Sequence, residues 1–184
     1  MSLDTELYAD QARVTLSTSF HGELVSHFLL ETRLREFVTV CNQLDQMKKA
    51  LFYGRNAEGL KPVANAHSVA KPGDVDAMHA IIGIATEAGE LVEALLNGEN
   101  DKVNMLEEIG DVMWYMSILA RQCGGNLEDC ADRNIAKMRM RYGEKFSEYD
   151  ANNRNLPAER SVLEHVPTGA EKRKPKPKPE TETE

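Results

Sequence analysis

Apolar residues recur at intervals of three and four over long segments of this sequence, and no segment alternates with a period of two for long enough to predict a strand. Glycine, asparagine or aspartate stands between these segments, where helices are commonly capped. We therefore predict an all-α fold, an antiparallel bundle of about four to five helices. The predicted helices cover residues 5–16, 24–53, 75–96, 102–123 and 127–142.

The predicted organisation is one all-α domain over residues 1–150, with its motif core at 76–146. Residues 55–73 contain two prolines and glycines at close spacing, which predicts a loop. Asparagines before Pro157 predict an irregular extension over 151–168. Residues 169–184 are rich in Lys, Pro and Glu and poor in apolar side chains, so we expect a disordered charged tail.

The composition excludes several classes of protein. A net charge of −8 argues against a nucleic-acid partner, which needs a basic surface. No apolar run approaches the roughly 20 residues that span a bilayer, so no membrane partner is expected. Three cysteines, without metal or redox spacing, are typical of a reduced compartment, and we expect a cytoplasmic protein.

Two predicted helices carry nearly the same acidic motif. Glu87 and Glu90 lie on the first helix, and Glu108 and Asp111 lie on the next. Residues three apart share one face of a helix, so each pair can direct two carboxylates to one point. Gly89 and the equivalent glycine at 110 each cost roughly 1 kcal/mol relative to alanine in a helix, which predicts a close helix crossing.

Four converging carboxylates need a counter-charge. At 4 Å and an effective dielectric of 20, each like-charge contact costs about 4 kcal/mol. All-oxygen ligands favour Mg²⁺, Mn²⁺ or Ca²⁺ over zinc, and Mg²⁺ commonly bridges phosphates. The four acids therefore predict a metal site for a phosphorylated substrate, although a single such pair is usually a solvated helix face.

A basic stripe follows on the last predicted helix. Asn134, Lys137 and Arg141 share a face, together with Met138. These side chains could neutralise phosphate oxygens opposite the metal. Basic residues in the last turns of a helix are also favoured by its dipole alone, and the sequence leaves both interpretations open.

The acidic segments resemble a known family. His79–Leu91 reads HAIIGIATEAGEL, and Asn104–Tyr115 reads NMLEEIGDVMWY. This order of E-x-x-E, a spacer and E-x-x-D resembles the MazG-like all-α nucleoside triphosphate pyrophosphohydrolases. Arg133–Tyr142 also resembles the helix that follows in that family.

The resemblance implies hydrolysis of a (d)NTP to the (d)NMP and pyrophosphate. It implies Mg²⁺, with Mn²⁺ as a substitute, bound by Glu87, Glu90, Glu108 and Asp111, which would also be the catalytic residues. It further implies that four residues bind substrate. These are Tyr115, Asn134, Lys137 and Arg141.

Two other classes of protein stay open. A ferritin-type di-metal bundle is disfavoured because such sites typically use E-x-x-H. A non-catalytic oligomeric helical adaptor is disfavoured by the glycine-containing acidic repeat. The separate apolar and acidic faces of the first acidic helix predict a homodimer or homotetramer. Neither the preferred base nor the biological role, house-cleaning or nucleotide-pool control, follows from the sequence.

Overall fold

The computed structural model describes residues 4–55, 75–98 and 102–166. These residues form seven α-helices and no strand, which confirms the predicted all-α class. The helices are α1 Thr5–Arg13, α2 His27–Tyr53, α3 Val75–Leu96, α4 Lys102–Gln122, α5 Leu127–Tyr142, α6 Glu148–Asn152 and α7 Leu156–His165. A short 3-10 helix, Gly22–Leu24, precedes α2. None of the described helices is both long and apolar enough to cross a membrane.

Several predicted helix ends are confirmed by their caps. The Asp4 side chain accepts a hydrogen bond from the backbone N–H of Leu7 and begins α1. Gly54 ends α2 with a φ of 65°, a left-handed conformation that glycine adopts without a steric cost. Asn126 and Asp129 cap α5 reciprocally, each side chain accepting from the other's backbone N–H.

The irregular extension predicted over 151–168 is wrong for most of its length, because Leu156–His165 forms α7. The Asn155 side chain caps this helix by accepting from the backbone N–H of Ala158. Pro157 stands in the first turn, where its missing N–H has no intrahelical partner to lose. The asparagine and proline that predicted a loop are instead the start signal of a helix.

Other predictions lie outside the described residues. They are the charged tail at 169–184 and nearly all of the loop at 55–73.

The chain forms two compact units, which divide the predicted domain after Thr18 and after Gly124. We call Ser19–Gly124 the acid-bearing unit; it contains α2, α3 and α4. We call residues 1–18 and 125–184 the flanking unit, in which α5 contacts α1, α6 and α7.

Within the acid-bearing unit, α3 packs against both α2 and α4. Cys41 near the middle of α2 contacts Gly89 late in α3, whereas Tyr53 at the end of α2 reaches His79 early in α3. The sequence numbers therefore run in opposite directions along the contact, and the two helices are antiparallel.

α3 and α4 are antiparallel by the same criterion. The Gln122 side chain donates to Asp76, and Tyr115 packs against Gly83. As the residue number rises along α3, its partner's number falls along α4. This arrangement brings the middle of α3 beside the middle of α4, which is where the two acidic motifs lie.

Candidate metal centre

Three of the four predicted metal ligands meet between α3 and α4. Carboxylate oxygens of Glu87, Glu90 and Glu108 all lie within 4.8 Å of one another. Glu87 and Glu108 are buried, and Glu90 is exposed. Asp111 lies one turn beyond Glu108 with an exposed side chain, and it is not part of this group of three.

The convergence has an electrostatic cost that is visible on Glu108. Burial, together with the charges of Glu90, Glu87 and then Asp111, raises the pKa of Glu108 to about 7. Burial and the charge of Glu87 also raise the pKa of Glu90. Carboxylates held this close lose protons reluctantly, so a divalent cation at this place would relieve a repulsion that the fold itself creates.

A buried lysine on α2, which the sequence analysis missed, partly offsets that repulsion. The ammonium of Lys48 donates to Glu87 Oε1 at 3.0 Å and to Thr86 Oγ1 at 2.9 Å. It lies 3.3 Å from Asp45 Oδ1. Burial by itself lowers the pKa of Lys48, but the hydrogen bonds and charges of Glu87 and then Tyr115 together outweigh this and raise the pKa above its ordinary value.

A signal for this lysine existed in the sequence. Val38, Cys41, Asp45 and Lys48 follow one another at intervals of three and four, so they share one face of α2. Val38 and Cys41 are buried, and this face packs on α3. Charged side chains that continue an apolar stripe are candidates for a functional site, because burying a charge is costly unless it is paired.

Tyr115, a predicted substrate residue on α4, is buried against Gly83 of α3. A Cβ built on Gly83 would lie 2.3–2.4 Å from three atoms of the tyrosine ring, so only glycine leaves room for that ring. The ammonium of Lys48, which lies on α2, is 5.2 Å from the centroid of the Tyr115 ring, a cation–π contact. Substrate contact by Tyr115 stays a prediction; its ring also meets those of His79 and Trp114.

The predicted close crossing holds for one of the two glycines in the acidic motifs. A Cβ on Gly89 would lie 2.4 Å from the Cys41 Cβ, so α2 and α3 could not approach as they do with alanine there. Gly110 has open space where its Cβ would stand. The close-crossing prediction is therefore wrong for Gly110 among the described residues, because that face of α4 points away from α3.

An aromatic cluster surrounds His79 near the start of α3, about two turns before Glu87. His79 stacks on Phe52 with ring centroids 4.1 Å apart, and Tyr53 and Trp114 meet its edge. Burial and then the charge of Lys48 lower the pKa of His79. The metal-capable group of Glu87, Glu90 and Glu108 does not include His79.

The basic stripe lies in the flanking unit, where two of its three residues have partners. Arg141 donates two hydrogen bonds to the carboxylate of Glu159, at 2.8 and 2.7 Å. Asn134 accepts a long hydrogen bond, 3.4 Å, from the hydroxyl of Tyr8. Lys137 is half-buried. The substrate role of these three residues stays a prediction.

A cavity of about 510 Å³ opens within the flanking unit, between α1 and α5. None of the predicted substrate or metal residues lines it. Its walls are formed by Asp10, Gln11, Val14, Thr15, Ile135, Met138, Arg139, Gly143 and Glu144. These walls carry neither a carboxylate cluster nor a buried charge, so the acid-bearing unit is the better candidate for chemistry.

The donor set fits a hard divalent cation. All of the grouped ligand atoms are carboxylate oxygens, and the raised pKa of Glu108 indicates unmet demand for positive charge. Oxygen-only ligation by several carboxylates is typical of Mg²⁺, Mn²⁺ or Ca²⁺ and not of zinc. The metal-capable group contains no histidine, which counts against the ferritin-type alternative.

One family model matches part of this chain. The model described as MazG nucleotide pyrophosphohydrolase domain matches residues 78–146, well under half of the 184 residues. The matched segment contains all four predicted ligands and the predicted substrate residues, and for this segment the MazG-like assignment is confirmed. No curated protein matches the chain, and no solved structure does.

Proposed function

With residues 78–146 forming a MazG-like segment as the premise, we propose that this protein hydrolyses a nucleoside triphosphate to the monophosphate and pyrophosphate. The observation that supports this most directly is the meeting of Glu87, Glu90 and Glu108 within 4.8 Å inside that segment. The family description itself points to nucleotide pyrophosphohydrolase activity. The proposal goes beyond this description in naming the reaction products, the metal and the class of substrate.

We propose Mg²⁺ as the cofactor, with Mn²⁺ as a substitute. Glu87, Glu90 and Glu108 would hold it, and Asp111, one turn beyond Glu108, would be the fourth ligand. When bound, a divalent ion of this kind supplies charge neutralisation at the phosphates and increases the acidity of a water molecule.

The chain's own residues would contribute positioning and charge. Glu108 is fixed between α3 and α4, and its burial limits the carboxylate to few orientations. Glu87 is held through its hydrogen bond from Lys48. Such preorganisation lowers the barrier because the groups need not reorganise as charge develops. Tyr115, Asn134, Lys137 and Arg141 remain the proposed substrate residues.

We also propose that the protein is a homodimer or homotetramer. Two helices of the acid-bearing unit expose stripes of large apolar side chains at intervals of three, four and seven residues, a pattern that is unusual for a monomer's surface. One stripe on α2 contains Phe37, Val40, Met47 and Leu51, and one on α4 contains Leu106, Ile109, Met113 and Met116. Light scattering coupled to size-exclusion chromatography measures the oligomer.

The proposed activity is tested with purified full-length protein, Mg²⁺ and a panel of canonical and modified (d)NTPs. We expect pyrophosphate and the (d)NMP from at least one of them, and no single phosphate. Addition of EDTA should remove the activity. Absence of turnover across the panel, with helicity intact, would contradict the enzymatic proposal and favour the adaptor class.

Glu108→Gln is the informative variant in the same assay. It keeps the side-chain volume and removes a ligand charge, so we expect activity to fall by at least about 100-fold. Because it also removes like-charge repulsion, the metal-free protein should melt at a higher temperature. Glu107→Gln is the matched control: Glu107 is exposed and adjacent, and its variant should retain activity. Equal activity of the two variants would show that the ligand assignment is wrong.

A further inference from the structure

Lys48 is a buried cation in the centre of a unit whose other buried charges are acids. Its side chain is 5% exposed, and it is the one buried lysine among the described residues. Three oxygens lie close to its ammonium: Thr86 Oγ1 at 2.9 Å, Glu87 Oε1 at 3.0 Å and Asp45 Oδ1 at 3.3 Å. The Tyr115 side chain is a further hydrogen-bond partner. The environment of this lysine is therefore complete without any ligand.

The hydrogen-bond geometry limits what Lys48 can do. A lysine ammonium has three N–H donors, and at least three acceptor oxygens lie within reach of them. The ring of Tyr115 also lies 5.2 Å from the nitrogen. Binding a substrate phosphate would require Lys48 to give up at least one of these partners. The arrangement suits a cation that stays in place, and not one that follows the substrate.

A fixed positive charge beside Glu87 also affects any ion bound by the same acids. Like charges repel, and the repulsion is strong where water is excluded. The same charge stabilises the cluster when no ion is present, because it offsets repulsion among Glu87, Glu90 and Glu108. The two effects have opposite signs and can be measured separately.

We propose that Lys48 is a positioning residue, a permanent internal counter-cation of Glu87. It keeps the acid-bearing unit folded without a metal, stays on Glu87 when the metal binds, and weakens metal affinity. The inference rests on the proposed function insofar as the three acids bind a divalent ion.

The test compares Lys48→Met with Lys49→Met. Methionine matches the length of the lysine stem and removes the charge. Lys49 is the neighbouring lysine, forms an ion pair with Asp45, and is 40% exposed. We expect Lys48→Met to bind Mn²⁺ about tenfold more tightly or better, by electron paramagnetic resonance or calorimetry. Lys49→Met should stay within about threefold of the unmodified protein, because its charge is solvated.

The second readout is thermal unfolding in EDTA and in excess Mn²⁺. Lys48→Met should melt well below the unmodified protein in EDTA, and Mn²⁺ should close most of that gap. A merely structural lysine would lower the melting temperature equally in both conditions and leave Mn²⁺ affinity unchanged or weaker; that result would overturn the inference. If Lys48→Met is unfolded in EDTA, Mn²⁺ must restore its fold, and failure to do so would equally reject the inference.

The proposal that Lys48 stays in place is tested on the unmodified protein. Protein labelled with ¹⁵N-lysine should show one protected ammonium signal, absent from Lys48→Met and present in Lys49→Met. We expect that signal to persist when Mg²⁺ is added, and its loss would contradict a fixed lysine. If the unmodified protein binds neither Mn²⁺ nor Mg²⁺, it is the proposed metal site that fails, and this outcome is distinct from the others.

Discussion

Two buried glutamates, one in each unit, have opposite electrostatic environments. Glu108 in the acid-bearing unit is buried among other carboxylates, and its pKa is raised to about 7. Glu159 in the flanking unit accepts hydrogen bonds from Arg141 and Arg154, and these hold its pKa at about 2. Both side chains are at least nine-tenths buried.

The difference separates an acid that is neutralised within the fold from an acid whose neighbours are mainly other acids. Glu159 is already paired with two guanidinium groups, so it needs nothing from outside. Glu108 has like charges as its neighbours, and burial increases their effect. A buried carboxylate without an internal cation lowers the stability of the fold. A protein retains such a group where it serves a function.

Arg141→Met tests the flanking side of this comparison and should have the largest effect on stability. It leaves Glu159 buried with only the half-exposed Arg154, so we expect a loss of about 3 kcal/mol in the free energy of unfolding. Arg160→Met is the matched control, because Arg160 pairs with Glu164 on the surface and should contribute under about 1 kcal/mol. Urea unfolding measures both variants. A normal stability with a raised KM for the nucleotide would instead support the predicted substrate role of Arg141.

Gly83→Ala tests whether the closeness of α3 and α4 matters to the acid-bearing side. The new methyl group would overlap the Tyr115 ring, so the ring or a helix must move, and we expect a loss of about 1–3 kcal/mol. Gly110→Ala is the control in the same motif region. Its methyl group meets open space, and the variant should gain up to about 1 kcal/mol from helix propensity. Similar thermal shifts of the same sign in both variants would contradict the tight packing at Gly83.

The smallest effect is the pH dependence of the metal-free protein. Folding raises the pKa of Glu108 from 4.5 to about 7, so the folded state binds more protons between these values and stability falls as pH rises through them. Glu159 behaves oppositely: its stabilisation is present above pH 4.5 and is lost as pH falls towards 2. In EDTA we expect the melting temperature to fall by a few degrees from about pH 5 to 8. Mg²⁺, or Glu108→Gln, should flatten this slope; an unchanged slope in that variant would refute the assignment to Glu108.

The sequence predicted what depends on near neighbours. The pairs Glu87/Glu90 and Glu108/Asp111 are set by helical spacing, and the caps at Asp4, Gly54 and Asn126 are set by backbone chemistry within one turn. A meeting of acids from the two helices was predictable, because each pair shares one face of its helix and the helices are consecutive. Asp111, however, is outside the group of three acids, since spacing alone does not specify which way a side chain turns.

Interactions between distant residues were not predictable in the same way. Lys48 lies 39 positions before Glu87, and the i, i+3 pattern of Asp45 and Lys48 also fits a solvated face. The ion pair of Arg141 with Glu159 was not predicted, because Glu159 lies 18 positions on, in a segment not expected to be helical. Charge on a helix face predicts that a counter-charge exists, but not whether the chain or a ligand provides it.

The positions of the site residues within their helices have a consequence for how such a protein can diverge. Glu87, Glu90 and Glu108 lie more than one turn from either end of α3 or α4, and Lys48 lies more than one turn from the end of α2. Residues can therefore be inserted or deleted between the helices without rotating any of these side chains. Descendants of such a chain can therefore change the length of these connections while inheriting the charged centre intact.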